Sequence, residues 1–148
     1  MIRTVNLEHN SERIINTKEL QTEVLHNIWL ELVDPTAEEI QAISDKTEIP
    51  TRFLHIPEAE GKINLRLEQD FTVVNFIILK GIVTTKEIHP IVIIFTKNFL
   101  VTIIKKLDQS IIDIAKQRMS KPNVDPPSEV AYFIMDEIIS DHFIHLEK

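Results

Sequence analysis

The stretch that decides the fold is WLELVDPTAEEI, residues 29–40. Its first five residues are mostly apolar, as is typical of a buried strand, and Asp34-Pro35 turns the chain. Thr36 and Glu39 have the spacing of a capping box, in which each side chain accepts a hydrogen bond from the backbone amide of the other residue. The stretch therefore predicts a strand over 28–33 that leads directly into an amphipathic helix over 36–46.

Outward from this junction, apolar alternation and turn residues predict further strands and helices. The predicted strands cover 2–7, 13–16, 63–67, 71–79, 81–85, 87–95 and 99–105. The predicted helical segments cover 19–26, 51–56, 110–119 and 126–148. This order predicts an α/β fold of the α+β type: a central mixed, largely antiparallel sheet flanked by helices, followed by the start of a long C-terminal helix.

The last predicted helix begins at PPSE, residues 126–129, and continues to Lys148 without glycine or proline. Its apolar residues cover more than half of the helix circumference, which is wider than the stripe needed to dock on one sheet. The pattern is compatible with a terminal helix that is fully buried, but it favours one that another surface covers. We therefore divide the chain into an α/β domain over 1–125 and the first part of a long helix over 126–148.

Composition limits the classes of function. The 148 residues carry a formal charge of −7, which argues against binding nucleic acid through phosphate neutralisation. The chain has no cysteine, which excludes disulfides, thiolate metal sites and cysteine nucleophiles. It also lacks the common hydrolase, zinc-protease and phosphate-loop motifs, so we expect no enzyme. No apolar run approaches the roughly 20 residues that span a bilayer.

Three segments together resemble one known family. The stretch 29–40, the consecutive strands over 71–79 and 91–103, and the helix start over 132–143 follow the order of the N-terminal cytoplasmic domain of CorA-like magnesium transporters. The Gly-Met-Asn pore motif of that family is absent from this chain. The resemblance implies an ion-sensing domain on the cytoplasmic side of the cell membrane, in a homopentameric transporter of Mg²⁺, Co²⁺ or related divalent cations. It also implies that this chain is a piece ending before the transmembrane helices.

Acidic residues on the last helix are the first candidate metal ligands. Asp136 and Glu137 are followed by Asp141, and the four-residue spacing of Glu137 and Asp141 places two like charges on one helix face. A divalent cation relieves that repulsion, and Mg²⁺ prefers oxygen ligands. A solvated acidic face explains the same spacing. The resemblance implies regulatory Mg²⁺ between neighbouring domains and identifies Asp136 as the matching helix position.

The resemblance places the partner ligand in the segment that follows Ile49-Pro50. His55 stands where the family usually has an acidic residue, and Glu58 and Glu60 are the nearby acids that can substitute for it. A charged loop explains these two glutamates equally well. We include Glu58, Glu60, Asp136 and Asp141 as candidate metal ligands.

Three alternatives remain open. His142 and His145 are three residues apart on the predicted helix and form a possible transition-metal pair, although no third histidine is near in sequence. The alternative function is a soluble α/β interaction or small-ligand-binding domain that oligomerises through its terminal helix. An enzyme with a scattered active site is a third reading.

Overall fold

The computed structural model describes residues 1–56, 64–80, 87–118 and 127–146. The strands are β1 (Ile2–Asn6), β2 (Ser11–Ile15), β3 (Ile28–Val33), β4 (Asn64–Leu67), β5 (Thr72–Lys80), β6 (Glu87–Phe95) and β7 (Phe99–Ile104). The helices are α1 (Thr17–Gln21), α2 (Ala37–Thr47), α3 (Gln109–Arg118) and α4 (Pro127–Leu146).

The strands form one seven-stranded sheet in the order β2-β1-β3-β7-β6-β5-β4. The pair β3 and β7 is parallel, and the other five pairs are antiparallel. Antiparallel neighbours here are mostly consecutive in sequence, whereas the parallel pair needs a long crossover connection. The predicted mixed, largely antiparallel sheet of an α+β fold is confirmed.

Strand β3 is one of the central strands of the sheet, between β1 and β7, and helices cover both of its faces. Trp29 and Val33 pack in the apolar core that contains α3 and α4. Ile28, Leu30 and Leu32 pack in a second core that contains α1 and α2. All six residues of the strand are buried, as is typical of a strand covered on both sides.

The predicted start of α2 is confirmed. The Thr36 side chain accepts a hydrogen bond from the Glu39 amide at 3.1 Å, and the Glu39 carboxylate accepts one from the Thr36 amide at 3.0 Å. Ile40 and Ile43 are the buried residues of the helix. Glu48 ends it in a left-handed conformation with φ of 63°, a common way for helices to end.

Two helical predictions differ from the structure. The helix predicted over 19–26 is α1 over Thr17–Gln21, because Asn16 and Glu19 form a capping box that starts it earlier. The segment predicted over 51–56 forms a 3₁₀ turn over Thr51–Phe53 alone. The strand predicted over 81–85 lies outside the described residues.

Candidate functional site

Helix α4 presents Asp136 on the side that faces away from the sheet. Its buried residues Val130, Ala131, Ile134 and Ile138 follow the three- and four-residue spacing of one helix face, and they pack in the same core as α3. Asp136 is exposed. Its carboxylate is therefore accessible to a cation or to another molecule.

The other predicted ligands do not join Asp136 in a described cluster. The backbone of Asp141 lies in α4, about 1.4 turns beyond Asp136, but its side chain is outside the described part. Glu58 and Glu60 lie outside the described residues altogether. Within the described ranges, no three His, Asp or Glu side chains are grouped so that they could hold a metal ion. Among the described residues, Asp136 therefore stands apart from the other candidate ligands, and its role as a ligand stays a prediction.

His55 belongs to the opposite side of the sheet. It is exposed and follows Phe53 and Leu54, which are buried in the core shared with α2. Asp136 projects from a helix that packs on the other core. The sheet therefore separates the two positions within one chain, and a site that combines them needs two chains.

The histidine alternative concerns positions near the end of α4. His142 and His145 fall within the helix, which runs to Leu146, but their side chains are outside the described part of the chain. The transition-metal hypothesis for this pair stays a prediction.

A cluster of charges around the buried Glu31 was not predicted from the sequence. The Glu31 side chain, 2% exposed, accepts a hydrogen bond from the Lys116 ammonium at 2.5 Å. The same ammonium lies 2.7 Å from a carboxylate oxygen of Glu12, and Arg3 is 3.6 Å from Glu31. One lysine of α3 thus binds carboxylates of two strands, β2 and β3. The sequence signal that could have revealed it is a glutamate inside an otherwise apolar strand.

Burial and the neighbouring cations act on Glu31 in opposite directions. Burial is the largest effect and raises the pKa of the Glu31 carboxyl above its ordinary value, while Lys116 and then Arg3 lower it. Glu12 adds a smaller upward contribution. The net shift is upward, so the pairing does not fully offset the loss of hydration.

Trp29 contacts this cluster through Lys116. Its indole nitrogen donates a hydrogen bond to the Thr102 hydroxyl at 2.9 Å, across the parallel pair of strands. The Lys116 ammonium lies 5.3 Å from the centre of the Trp29 ring, within the range of a cation–π contact. The tryptophan that opens the decisive stretch therefore joins the central strand to both β7 and α3.

Exposed apolar side chains remain on α4. Tyr132 is 61% exposed and Ile139 is 41% exposed, while Phe133 and Met135 are half-buried beside the core. This is the wide apolar circumference expected from the sequence. Within the described ranges, no helix is both long enough and apolar enough to pass through a lipid bilayer.

Comparison with known proteins identifies the family to which the chain belongs. The family model described as "CorA-like Mg2+ transporter protein" matches residues 25–148. A search of the curated proteins gives no matching sequence.

Solved structures share the fold. The soluble domain of CorA from Methanocaldococcus jannaschii aligns with a TM-score of 0.68 and 20% identity, over 99% of this chain and 60% of that one. The complete CorA magnesium transporter of the same organism gives 0.64 and 21%, over 99% and 47% of the two chains. The full-length CmaX protein gives 0.69 and 10%, over 97% and 46%. The chain therefore spans less than two thirds of these proteins.

Proposed function

The chain belongs to the CorA-like Mg²⁺ transporter family, and on that premise we propose that it is the ion-sensing cytoplasmic domain of a transporter of Mg²⁺ or a related divalent cation such as Co²⁺. The observation that carries the proposal is the family match over residues 25–148, from the start of β3 through α4. The shared fold with the soluble domain of a CorA protein supports a position outside the membrane. The members of this family are transporters, and we therefore propose that this domain has no enzymatic activity.

We propose that Asp136 is a ligand of regulatory Mg²⁺, with Asp141, Glu58 and Glu60 as further candidates. Mg²⁺ is usually held by one or two carboxylates and keeps several waters, so a single exposed carboxylate on each chain fits a shared ion. The separation of Asp136 and His55 by the sheet favours a site between copies over a site within one copy. His55 itself is a poor ligand for Mg²⁺, because imidazole suits softer metals.

We propose that the assembly is a homo-oligomer, and that it is the homopentamer anchored in the cell membrane that the family resemblance implies. Each copy carries a formal charge of −7, so neighbouring copies repel each other in the absence of cations. A divalent cation bound between two acidic surfaces removes part of that repulsion. The same acidity disfavours nucleic acid as a partner.

The proposed mechanism is a shift between two populations. Mg²⁺ that binds between copies stabilises the closed assembly to the extent that it binds this assembly more tightly than the open one. When the cytosolic Mg²⁺ concentration falls, the ions leave, the copies separate and the distant pore opens. When the concentration rises, transport stops.

The test is the thermal unfolding of the chain as a function of Mg²⁺ concentration, with ionic strength held constant by a monovalent salt. We expect Mg²⁺ to raise the unfolding temperature of the wild-type chain and to raise that of Asp136→Ala less, because ligands of the folded state stabilise it by mass action. Asp113→Ala is the matched control, since Asp113 is an exposed acid on α3. Equal stabilisation of all three proteins would assign Asp136 to an ordinary solvated face.

A further inference from the structure

A crevice lies where the two parallel strands end. After β3 the chain turns to α2 on one face of the sheet, and after β7 it turns to α3 on the other. In open α/β sheets, ligands bind outside the carboxyl ends of parallel strands at the point where the connections diverge in this way. The end of the β3–β7 pair has this topology.

The crevice is an open depression with a volume of about 250 Å³. Its floor includes Ile40, Leu54 and Ile103, all of which are buried. Two hydrogen bonds of 3.0 Å tie its sides together: the Asp34 amide donates to the Ile104 carbonyl, and the Lys106 amide donates to Oδ2 of Asp34. Pockets for drug-sized ligands have volumes of roughly 300–1,000 Å³, so this smaller, open depression suits a smaller molecule.

The rim carries charges of both signs that do not neutralise each other. Asp34, Lys105 and His55 line the cavity, and all three are exposed. Among the described residues, the side chains of Lys105 and His55 have no hydrogen-bond or ion-pair partner, and Asp34 makes no ion pair with Lys105. The rim thus offers one carboxylate and two basic side chains above an apolar floor.

We propose that this crevice binds a small zwitterion with an aliphatic side chain, of the chemical class of the aliphatic α-amino acids. The ligand ammonium pairs with Asp34, the ligand carboxylate pairs with Lys105 beside His55, and the aliphatic group rests on the floor. Charge-assisted hydrogen bonds to both charged groups fix the orientation of the ligand. The crevice does not contain Asp136 and does not depend on it, although its rim residue His55 lies in the segment that the proposed Mg²⁺ site draws on.

The test is a titration of the 148-residue chain with leucine, followed through backbone amide chemical shifts. Two analogues separate the contributions: 4-methylpentanoate lacks the ammonium group, and 3-methylbutylamine lacks the carboxylate. We expect leucine to saturate amides at the ends of β3 and β7 at millimolar concentrations, and each analogue to bind about tenfold more weakly.

Variants locate the site. Asp34→Asn and Lys105→Met should each weaken leucine binding about tenfold. Lys97→Met is the matched control, because Lys97 is an exposed lysine in the turn between β6 and β7 and should leave binding unchanged. The analogues test the claim on the unaltered protein, so it stays testable if a variant fails to fold. Absence of saturation by leucine, equal affinity for leucine and 4-methylpentanoate, or undiminished binding to Lys105→Met would each overturn the proposal.

Discussion

Replacement of Lys116 by methionine should destabilise the fold strongly at neutral pH. The change removes the ammonium that binds Glu31 at 2.5 Å and Glu12 at 2.7 Å, while it keeps an unbranched apolar stem in the same place. The Glu31 carboxyl group then loses its nearest cation while its side chain, 2% exposed, stays on the central strand. Of the cations in the described part of the chain, only the Arg3 guanidinium, at 3.6 Å, remains near enough to compensate it.

The magnitude follows from the cost of an uncompensated buried charge. Removal of one partner of a buried ion pair costs about 3–5 kcal/mol, and we expect about 3 kcal/mol because Arg3 stays. Replacement of both charges, in Glu31→Leu with Lys116→Met, should restore most of the loss, because apolar substitutes for a buried pair are often neutral or stabilising.

The loss should also depend on pH. Burial raises the pKa of Glu31 in the folded protein, and removal of Lys116 raises it further because a lowering influence is lost. A carboxyl group whose pKa is raised by folding contributes its stability below the unfolded pKa and loses it as the pH rises through the folded pKa. The destabilisation by Lys116→Met should therefore be smaller at pH 5 than at pH 7.

The assay is urea unfolding of the wild-type protein, both variants and Gln117→Met at the two pH values. Gln117 is the exposed neighbour of Lys116 on α3, so its replacement should change the free energy of unfolding by no more than about 0.5 kcal/mol. If Lys116→Met behaves like this control at pH 7, or loses the same free energy at both pH values, the account of Glu31 as a costly buried charge is wrong.

Two further substitutions test how the central strand and its helix are held. Thr102→Val leaves the Trp29 indole N–H buried without an acceptor, so we expect a loss of about 1–3 kcal/mol in urea unfolding, and an unchanged free energy would contradict the importance of this bond. Thr36→Ala removes the side-chain half of the capping box with Glu39. It should cost about 1 kcal/mol and accelerate amide hydrogen exchange in α2, whereas unchanged exchange would show that the cap does not hold the helix.

The parts of the fold that local chemistry specifies could be predicted from the sequence. The strand 28–33 was predictable from its run of apolar residues. The start of α2 was predictable because the capping residues Thr36 and Glu39 lie three positions apart and act on each other's amides. Alternation of apolar residues located the antiparallel strands, because it too is a pattern between residues that are close in sequence. The early start of α1 was missed, although Asn16 and Glu19 carry the same local signal.

Contacts between distant residues could not be predicted in this way. Lys116 and Glu31 are 85 residues apart, and neither has a local pattern that specifies the other as its partner. The pairing of β3 with β7 is equally remote in sequence, so the crevice at their ends was not foreseen. On α4, the exposure of Asp136 depends on which face of a mostly apolar helix meets the sheet, and the helix sequence alone does not decide that.

The most direct test of the central claim is the molecular mass of the chain in solution, measured by sedimentation equilibrium with and without Mg²⁺. We expect the mean mass to rise above that of one copy as Mg²⁺ is added, to return when the ion is chelated, and to rise less in Asp136→Ala than in Asp113→Ala. A mass that is unaffected by Mg²⁺, or that rises equally in both variants, would contradict an ion-sensing domain that binds its ion between copies through Asp136.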